Sequence, residues 1–241
     1  MRAYYDPHIH SCPSPCGDSE MSPINIVNMA KLKKLYVIAL TDHNSSKNCP
    51  AFLSAAKKAG IQAIPGMELC TAEECHVICL FPNLRAALEF DAVVEATLPD
   101  IQNRPEIFGE QVIVDADESA IGAFPTMLTA DTSIGIDEIS GIVRSLGGIA
   151  FPAHIDRPSY SVISVLGTVP DARFSAFEVS GRGSVRTLPA SYPILKGRPI
   201  LLNSDAHRLE DISEPAGWIE LDTLSPEGVI SALLAGCAWG V

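Results

Sequence analysis

The sequence predicts an α/β protein built on a parallel sheet, and three observations lead there. Short apolar runs alternate with amphipathic helical stretches along the chain. The run at 36–40, Tyr-Val-Ile-Ala-Leu, is continuously apolar, as a strand buried on both faces must be. Histidines and carboxylates recur just after the strand-like runs, where a parallel α/β fold gathers its functional groups.

The elements follow in order. Residues 3–5 form a first strand. Ser22 and Pro23 open a helix, the serine as cap and the proline in the first turn, where a missing N–H costs nothing. That helix runs to about Lys34, with Ile24, Val27, Ala30 and Lys31 spaced along one face. Lys31, Lys33 and Lys34 suit its negative C-terminal end. After the strand at 36–40, residues 51–59 are helical and stop at Gly60. Strands are expected at 61–64 and 76–80. Residues 83–135 read as a helical insertion followed by a loop or small hairpin, a candidate lid or substrate wall. A helix at 140–146 ends at Gly147-Gly148, and strands follow at 149–152, 176–179 and 200–202. A last strand at 219–221 and a helix at 226–234 close the chain.

Composition narrows the class. A length of 241 residues with 47% hydrophobic content supports one barrel-sized domain over 1–241, and no Pro/Gly/Ser linker divides it. Seventeen Lys and Arg against 29 Asp and Glu give a formal charge of −12. Such a surface repels a duplex backbone, so no duplex nucleic acid partner is expected. No apolar run approaches the roughly 18 residues of a membrane span. Seven cysteines, an odd number without a signal peptide, point to a reduced, cytoplasmic protein rather than a disulfide framework. No obligate protein partner is evident.

The histidines carry the functional signal. All six lie in segments rich in metal-type donors: His8 and His10 in Asp6-Pro7-His8-Ile9-His10-Ser11, His43 in Thr41-Asp42-His43-Asn44, His76, His154, and His207 in Ser204-Asp205-Ala206-His207. Alternation in an extended segment puts His8 and His10 on one side with Ile9 opposite. Imidazole and carboxylate are ligands that Zn, Mn and Fe accept alike. Asp42 is better placed to orient a histidine than to bind metal, because ligating imidazoles commonly give their other N–H to a carboxylate. Glu178 is read either in that role or as a plain strand-end carboxylate. Arg157, three residues after His154, is the best-placed arginine for a bidentate phosphate contact, with Arg182 and Arg186 next. Cys12-Pro13-Ser14-Pro15-Cys16 lacks the two-residue zinc spacing and reads as a loop packing against the site. Cys70, Cys75 and Cys79 read as small buried hydrophobes.

The ordered set resembles the PHP (polymerase and histidinol phosphatase) phosphoesterase family. The likeness rests on the His8/His10 segment, on Thr41-Asp42-His43-Asn44, on Pro65-Gly66-Met67-Glu68-Leu69, on Ala153-His154 and on Ser204-Asp205-Ala206-His207. Pro7 departs from the leucine more usual there. The resemblance implies a distorted seven-stranded β/α barrel (TIM-like), with the insertion at 83–135. It also implies two or three divalent ions, Zn, Mn or Fe. His8, His10, Glu68 and Asp205 would hold the first. Glu68, His76 and His154 would hold the second, and Asp18, His43 and His207 the third. His43, His207, Asp205 and Glu68 would then be catalytic and Arg157 and Arg182 would bind substrate. His207 or His43 is a further candidate for protonating the leaving group.

Clustered cations lower the pKa of bound water to about 7 and offset the charge of a transferring phosphate. The expected substrate is a small phosphorylated compound, a phosphomonoester such as a nucleotide or nucleoside bisphosphate. Two alternatives remain open: a 5′-3′ exonuclease on short oligonucleotides, and a non-catalytic, metal-stabilised interaction module.

Overall fold

The computed structural model describes residues 1–12, 14 and 18–241. In chain order the elements are β1 (Arg2–Asp6), α1 (Pro23–Leu32), β2 (Val37–Leu40), α2 (Cys49–Ala59), β3 (Gln62–Cys70) and β4 (His76–Leu80). The insertion holds α3 (Leu84–Glu95), α4 (Pro105–Phe108) and a hairpin of β5 (Val112–Val114) and β6 (Ala120–Ala123). There follow α5 (Ile136–Ser145), β7 (Ile149–Pro152), α6 (Val162–Leu166), β8 (Phe177–Val179), α7 (Arg182–Ser191) and β9 (Ile200–Leu202). β10 (Trp218–Glu220), α8 (Pro226–Ala235) and β11 (Trp239–Gly240) complete the chain. The helices α6 and α7 and the edge strand β11 were not expected from periodicity; α7 buries no residue, so it carries no apolar stripe to read.

Local chemistry explains the boundaries. Ser22 accepts from Asn25 N at the start of α1, with Pro23 just inside. The buried face of α1 is Pro23, Ile26, Val27 and Ala30; Ile24 is half-buried and Lys31 exposed, a rotation from the expected face. Gly60, at φ 74, ends α2 in the left-handed region that glycine adopts without penalty.

The main sheet runs β11-β10-β1-β2-β3-β4-β7 and is mixed, not parallel throughout. β1, β2 and β3 are parallel, whereas β3–β4, β4–β7, β1–β10 and β10–β11 are antiparallel. The cause is the length of β3. It continues to Cys70, so only residues 71–75 separate it from β4, far fewer than the dozen or so that a parallel crossover needs.

A continuous closed barrel ladder is absent among the described residues. β8 and β9 form their own parallel pair, β8 lying against β7 and β9 against β11. Single backbone bonds join this pair to its neighbours: Ile155 N to Glu178 O (2.9 Å) on one side, His10 N to Ala206 O (3.0 Å) on the other.

The sheet curls around an inner core. Ala3, Tyr5, Val37, Ala39, Ile64, Ile78, Leu80, Ile149, Phe151 and Leu201 meet inside, joined by Val229, Ile230 and Leu233 of α8. Alternate residues of the same strands face outward: Ile38 and Leu40 pack with α1 and α2, and Val77 and Cys79 pack with α3 and α5. Burying each such Val, Ile or Leu is worth about 1.5–3 kcal/mol. Cys12, Cys49, Cys70, Cys75, Cys79 and Cys237 are free thiols. Cys70, Cys75 and Cys79 are buried, as read from sequence, while Cys16 lies outside the described residues. No helix among the described residues is long and apolar enough to cross a membrane.

Candidate metal centre

Glu68 lies within β3, not after it, and its two oxygens face five imidazoles. Oε1 is 3.0 Å from His76 Nδ1, 3.2 Å from His154 Nε2 and 3.3 Å from His8 Nε2. Oε2 is 3.0 Å from His43 Nδ1 and 3.3 Å from His10 Nε2. Asp205 closes the other side, with Oδ1 3.0 Å from both His8 Nε2 and His10 Nε2. His207 stacks on His10, with ring centroids 4.2 Å apart.

The donors come from within β3, from the start of β4 and from the turns that follow β1, β2, β7 and β9. Ile9 is buried and bridges to Ala206, so its neighbours His8 and His10 both point into the site. His43 follows β2 and forms a bridge with Glu68. His154 follows β7 at φ 29, and Asp205 follows β9 at φ 52; both backbones occupy regions non-glycine residues rarely visit, as held residues at functional sites do. Buried Asp6 anchors the Asp205 loop, accepting from Ser204 N (3.1 Å) and Ser213 N (2.8 Å).

Three groups of donor atoms approach within 4.8 Å of one another: His8, His10, Glu68 and Asp205; His43, Glu68 and His76; and His10, His43 and His207. The first is the set expected for one ion. The second exchanges His43 for the expected His154, which still touches Glu68. The third takes His10 in place of Asp18. Asp18 is exposed and joins none of these groups: its Oδ1 accepts from Glu20 N (3.0 Å), and only its backbone N meets His207 O (2.9 Å). The carboxylate is satisfied by its own turn.

Buried groups outside the cluster fix the histidines. Glu178 holds His8 through Nδ1 and also accepts from His154 N (3.1 Å) and Asn203 Nδ2 (2.7 Å). Asp42 acts on His10 through an intermediary. It accepts from Ser11 N, Ser11 Oγ and Ser14 Oγ, and Ser14 Oγ lies 3.0 Å from His10 Nδ1. Because the Ser14 hydroxyl donates to Asp42, it accepts the Nδ1 proton of His10 and leaves Nε2 to face Asp205 and Glu68. Asp6, Ser14 and Asn203 escaped the sequence reading, since a serine between prolines and an asparagine after a strand look like loop residues.

Electrostatics follow the geometry. Burial opposes the charge of Glu68, but His76, His8, His43 and His10 hold it well below the ordinary carboxylate range. Asp205 is likewise lowered, burial being outweighed by His8 and His10. His10 resists burial through Asp205 and Glu68 and rises to about 9, and His8 is raised by Glu178, Asp205 and Glu68. His207 is pushed down to about 3 by burial and by His10, which keeps the metal-free ring neutral near pH 7.

A cation fits this set. Glu68 Oε2, Asp205 Oδ1 and His154 Nδ1 are buried without a hydrogen-bond partner, and His8 Nε2 and His10 Nε2 meet at 3.0 Å. Such converging lone pairs and orphaned oxygens are satisfied by a shared divalent ion. A cavity of about 760 Å³ beside α8, lined by Glu220, Asp222 and Cys237 among others, lies outside the cluster.

The insertion is hydrogen-bonded to the loop after β2. Asn44 Nδ2 donates to Leu128 O and Ala130 O, both at 2.8 Å, and Asn48 accepts from Val114 N at 2.9 Å. Arg157 pairs with Asp205 Oδ2. Arg182 opens α7 and is exposed, as are Arg186 and Arg208.

A family model described as the PHP domain matches residues 6–164. The chain belongs to the PHP domain family. A relative named 5′-3′ exoribonuclease, from Haemophilus influenzae, is 37% identical over 97 residues, covering 37% of this chain and 34% of its own length. The chain spans about a third to a half of the length of the curated relatives it matches. Among solved PHP-like folds, lesion-specific endonuclease Q of Pyrococcus furiosus superposes with a TM-score of 0.66 at 19% identity, covering 100% of this chain and 57% of its own. A Bifidobacterium adolescentis protein, provisionally named a metal-dependent phosphoesterase, gives 0.60 at 17% identity over 98% and 96%. At such identities the likeness carries the fold.

One expectation is overturned. Endonuclease Q of this fold stands in complex with a 27-mer duplex that has an abasic lesion at its active site, with a TM-score of 0.66, 18% identity and coverage of 100% and 58%. Acidic net charge therefore does not exclude duplex nucleic acid. The charge of −12 sums the whole surface, whereas contact is local: Arg157 pairs with the donor Asp205, and Arg208 directly follows His207 in the chain.

Proposed function

We propose that this PHP protein hydrolyses phosphate esters of nucleic acid from a strand end, using divalent cations held around Glu68. The observation that carries this is the shape of the site. Among the described residues, His8, His10 and Glu68 are essentially sealed, and the histidines that reach the surface most are His43, His76 and His207, whose side chains are 9%, 12% and 26% exposed. A terminal phosphate enters so narrow a mouth more readily than an internal one. The arginines after β7, β8 and β9 supply positive charge beside it, and Arg182, Arg186 and Arg208 have no carboxylate within ion-pair distance among the described residues. The nuclease names of the relatives support the same direction.

His8, His10, Glu68 and Asp205 would hold one ion, and Glu68, His76 and His154 or His43 a second. His43 and His207 would contribute to a third. His10, with Nδ1 committed to Ser14, has one lone pair and serves a single ion. Zn, Mn and Fe suit these donors equally. Bound ions supply an activated water and neutralise phosphate charge. The protein's own share is to fix five imidazoles on one carboxylate, to seal the site from bulk water and to present the arginines.

The narrow mouth also favours a second reading, hydrolysis of a free nucleotide or nucleoside bisphosphate. The test is one panel with Mn-loaded protein: a 5′-phosphorylated single-stranded hexanucleotide, adenosine monophosphate, adenosine 3′,5′-bisphosphate and histidinol phosphate. Mononucleotide release from the hexanucleotide is expected. Phosphate from a mononucleotide alone selects the second reading, and no turnover with metal bound leaves the non-catalytic module.

A further inference from the structure

Tyr160 occupies an unusual position for an aromatic residue outside the core. Its ring stacks on His76, centroids 4.7 Å apart and planes at 20°, yet 48% of the residue remains exposed. Its backbone is at φ 52, a left-handed conformation that bulky residues seldom adopt. The surroundings hold it there. Tyr160 O accepts from His76 N (2.9 Å), Arg157 N donates to His154 O (2.9 Å), and Ser161 Oγ donates to Arg157 O (2.7 Å). The segment is therefore a rigid turn that places one aromatic face on a histidine of the donor cluster and leaves the rest of the ring in the open. Arg157, three residues earlier in the same turn, is paired to Asp205 at the same mouth.

Shielding His76 alone requires no exposed, strained tyrosine; a buried aliphatic side chain would shield it as well. A flat ring fixed in advance beside the donor cluster is what a nucleobase needs, because every base has a face that stacks and a preorganised ring loses little freedom on binding. We propose that Tyr160 is the stacking platform for the nucleobase of the nucleotide whose phosphate enters the cluster. This rests on the nucleic-acid reading above and extends it to a residue and a contact. His76, beneath the ring, links the platform to the centre, so the base and its phosphate are read by one turn.

The experiment compares wild type, Tyr160→Phe and Tyr160→Ala by fluorescence anisotropy. The probes are a labelled single-stranded hexanucleotide with non-hydrolysable phosphorothioate linkages and its two counterparts with an abasic sugar at one or the other end. Bound metal is measured for each protein. Tyr160→Ala is expected to weaken binding of the intact probe about tenfold, the scale of one base stack. Tyr160→Phe should bind as wild type does. One of the abasic probes should bind wild type and Tyr160→Ala alike. Equal losses for intact and both abasic probes, or a lowered metal content, would make Tyr160 a support for His76 and overturn the proposal. Unchanged binding in Tyr160→Ala would also overturn it. No binding of any probe to metal-loaded wild type would instead remove the nucleic-acid reading itself, and the platform with it.

Discussion

Both oxygens of Glu178 face one nitrogen of His8, Nδ1, at 2.9 and 3.0 Å, and so turn Nε2 toward Glu68 and Asp205. This buried carboxylate sets both the tautomer and the direction of a histidine it does not share with any ion. Removing such a partner typically costs 10–100-fold in metal affinity. Glu178→Ala is therefore expected to lose about that factor in a chelator competition while keeping its circular dichroism. Glu178→Gln, which can still accept from Nδ1, should lose less. Equal affinity in all three proteins would deny Glu178 this role.

His10 sets a pH dependence. In metal-free protein its folded pKa of about 9 lies above the ordinary 6.5, so its proton stabilises the fold fully below about pH 6.5. That contribution fades as pH rises through about 9, and raised His8 acts in the same sense. Metal needs the bare nitrogen, so its binding displaces protons in this window. Melting of chelator-treated protein should fall from pH 7 to 9 while the gain on adding Mn widens. Calorimetry at pH 7 in two buffers should register proton release; a signal independent of buffer would contradict this.

Much of this was legible because it is written in periodicity and spacing. The two-sided strand Val37–Leu40, the cap Ser22-Pro23 and the stop at Gly60 are local signals, and the structure follows them. The gathering of histidines was legible because His8 and His10, and Asp205 and His207, come in alternating pairs. The antiparallel turn of β4 was not, since the nine-residue length of β3 hides behind Pro65-Gly66. Asp18 holds a motif position yet stands apart from the three donor groups, its carboxylate accepting from Glu20 N, a local turn contact that spacing does not reveal. Ser14 and Tyr160 were invisible because their roles depend on His10 and His76, which are distant in sequence or reached only through the fold.

Gly66 illustrates the packing behind that strand. A Cβ there would lie 2.8 Å from Cys79 O and 2.9 Å from Leu80 Cδ2. Gly66→Ala must push β3 from β4 two residues before Glu68. Overpacking of this kind costs about 1–3 kcal/mol. Urea unfolding should show that loss, together with weakened metal binding; wild-type stability would mean the strands part without cost.

Asn48 fastens the hairpin wall to the body of the protein, accepting from Val114 N and reaching Val112 O and Ser11 Oγ. Asn48→Ala strands a buried N–H, at about 1–3 kcal/mol. Hydrogen exchange across residues 112–123 should accelerate more than exchange in β2. Uniform acceleration would show that the hairpin and the body open together.

The central claim is that Glu68 organises a multinuclear metal site. Elemental analysis of wild type and Glu68→Ala after loading with Mn and removal of excess tests it most directly. At least two ions per wild-type chain are expected, and at least one fewer in the variant, with its fold confirmed by circular dichroism. Fewer than one ion in wild type, or equal metal in both proteins, would contradict it.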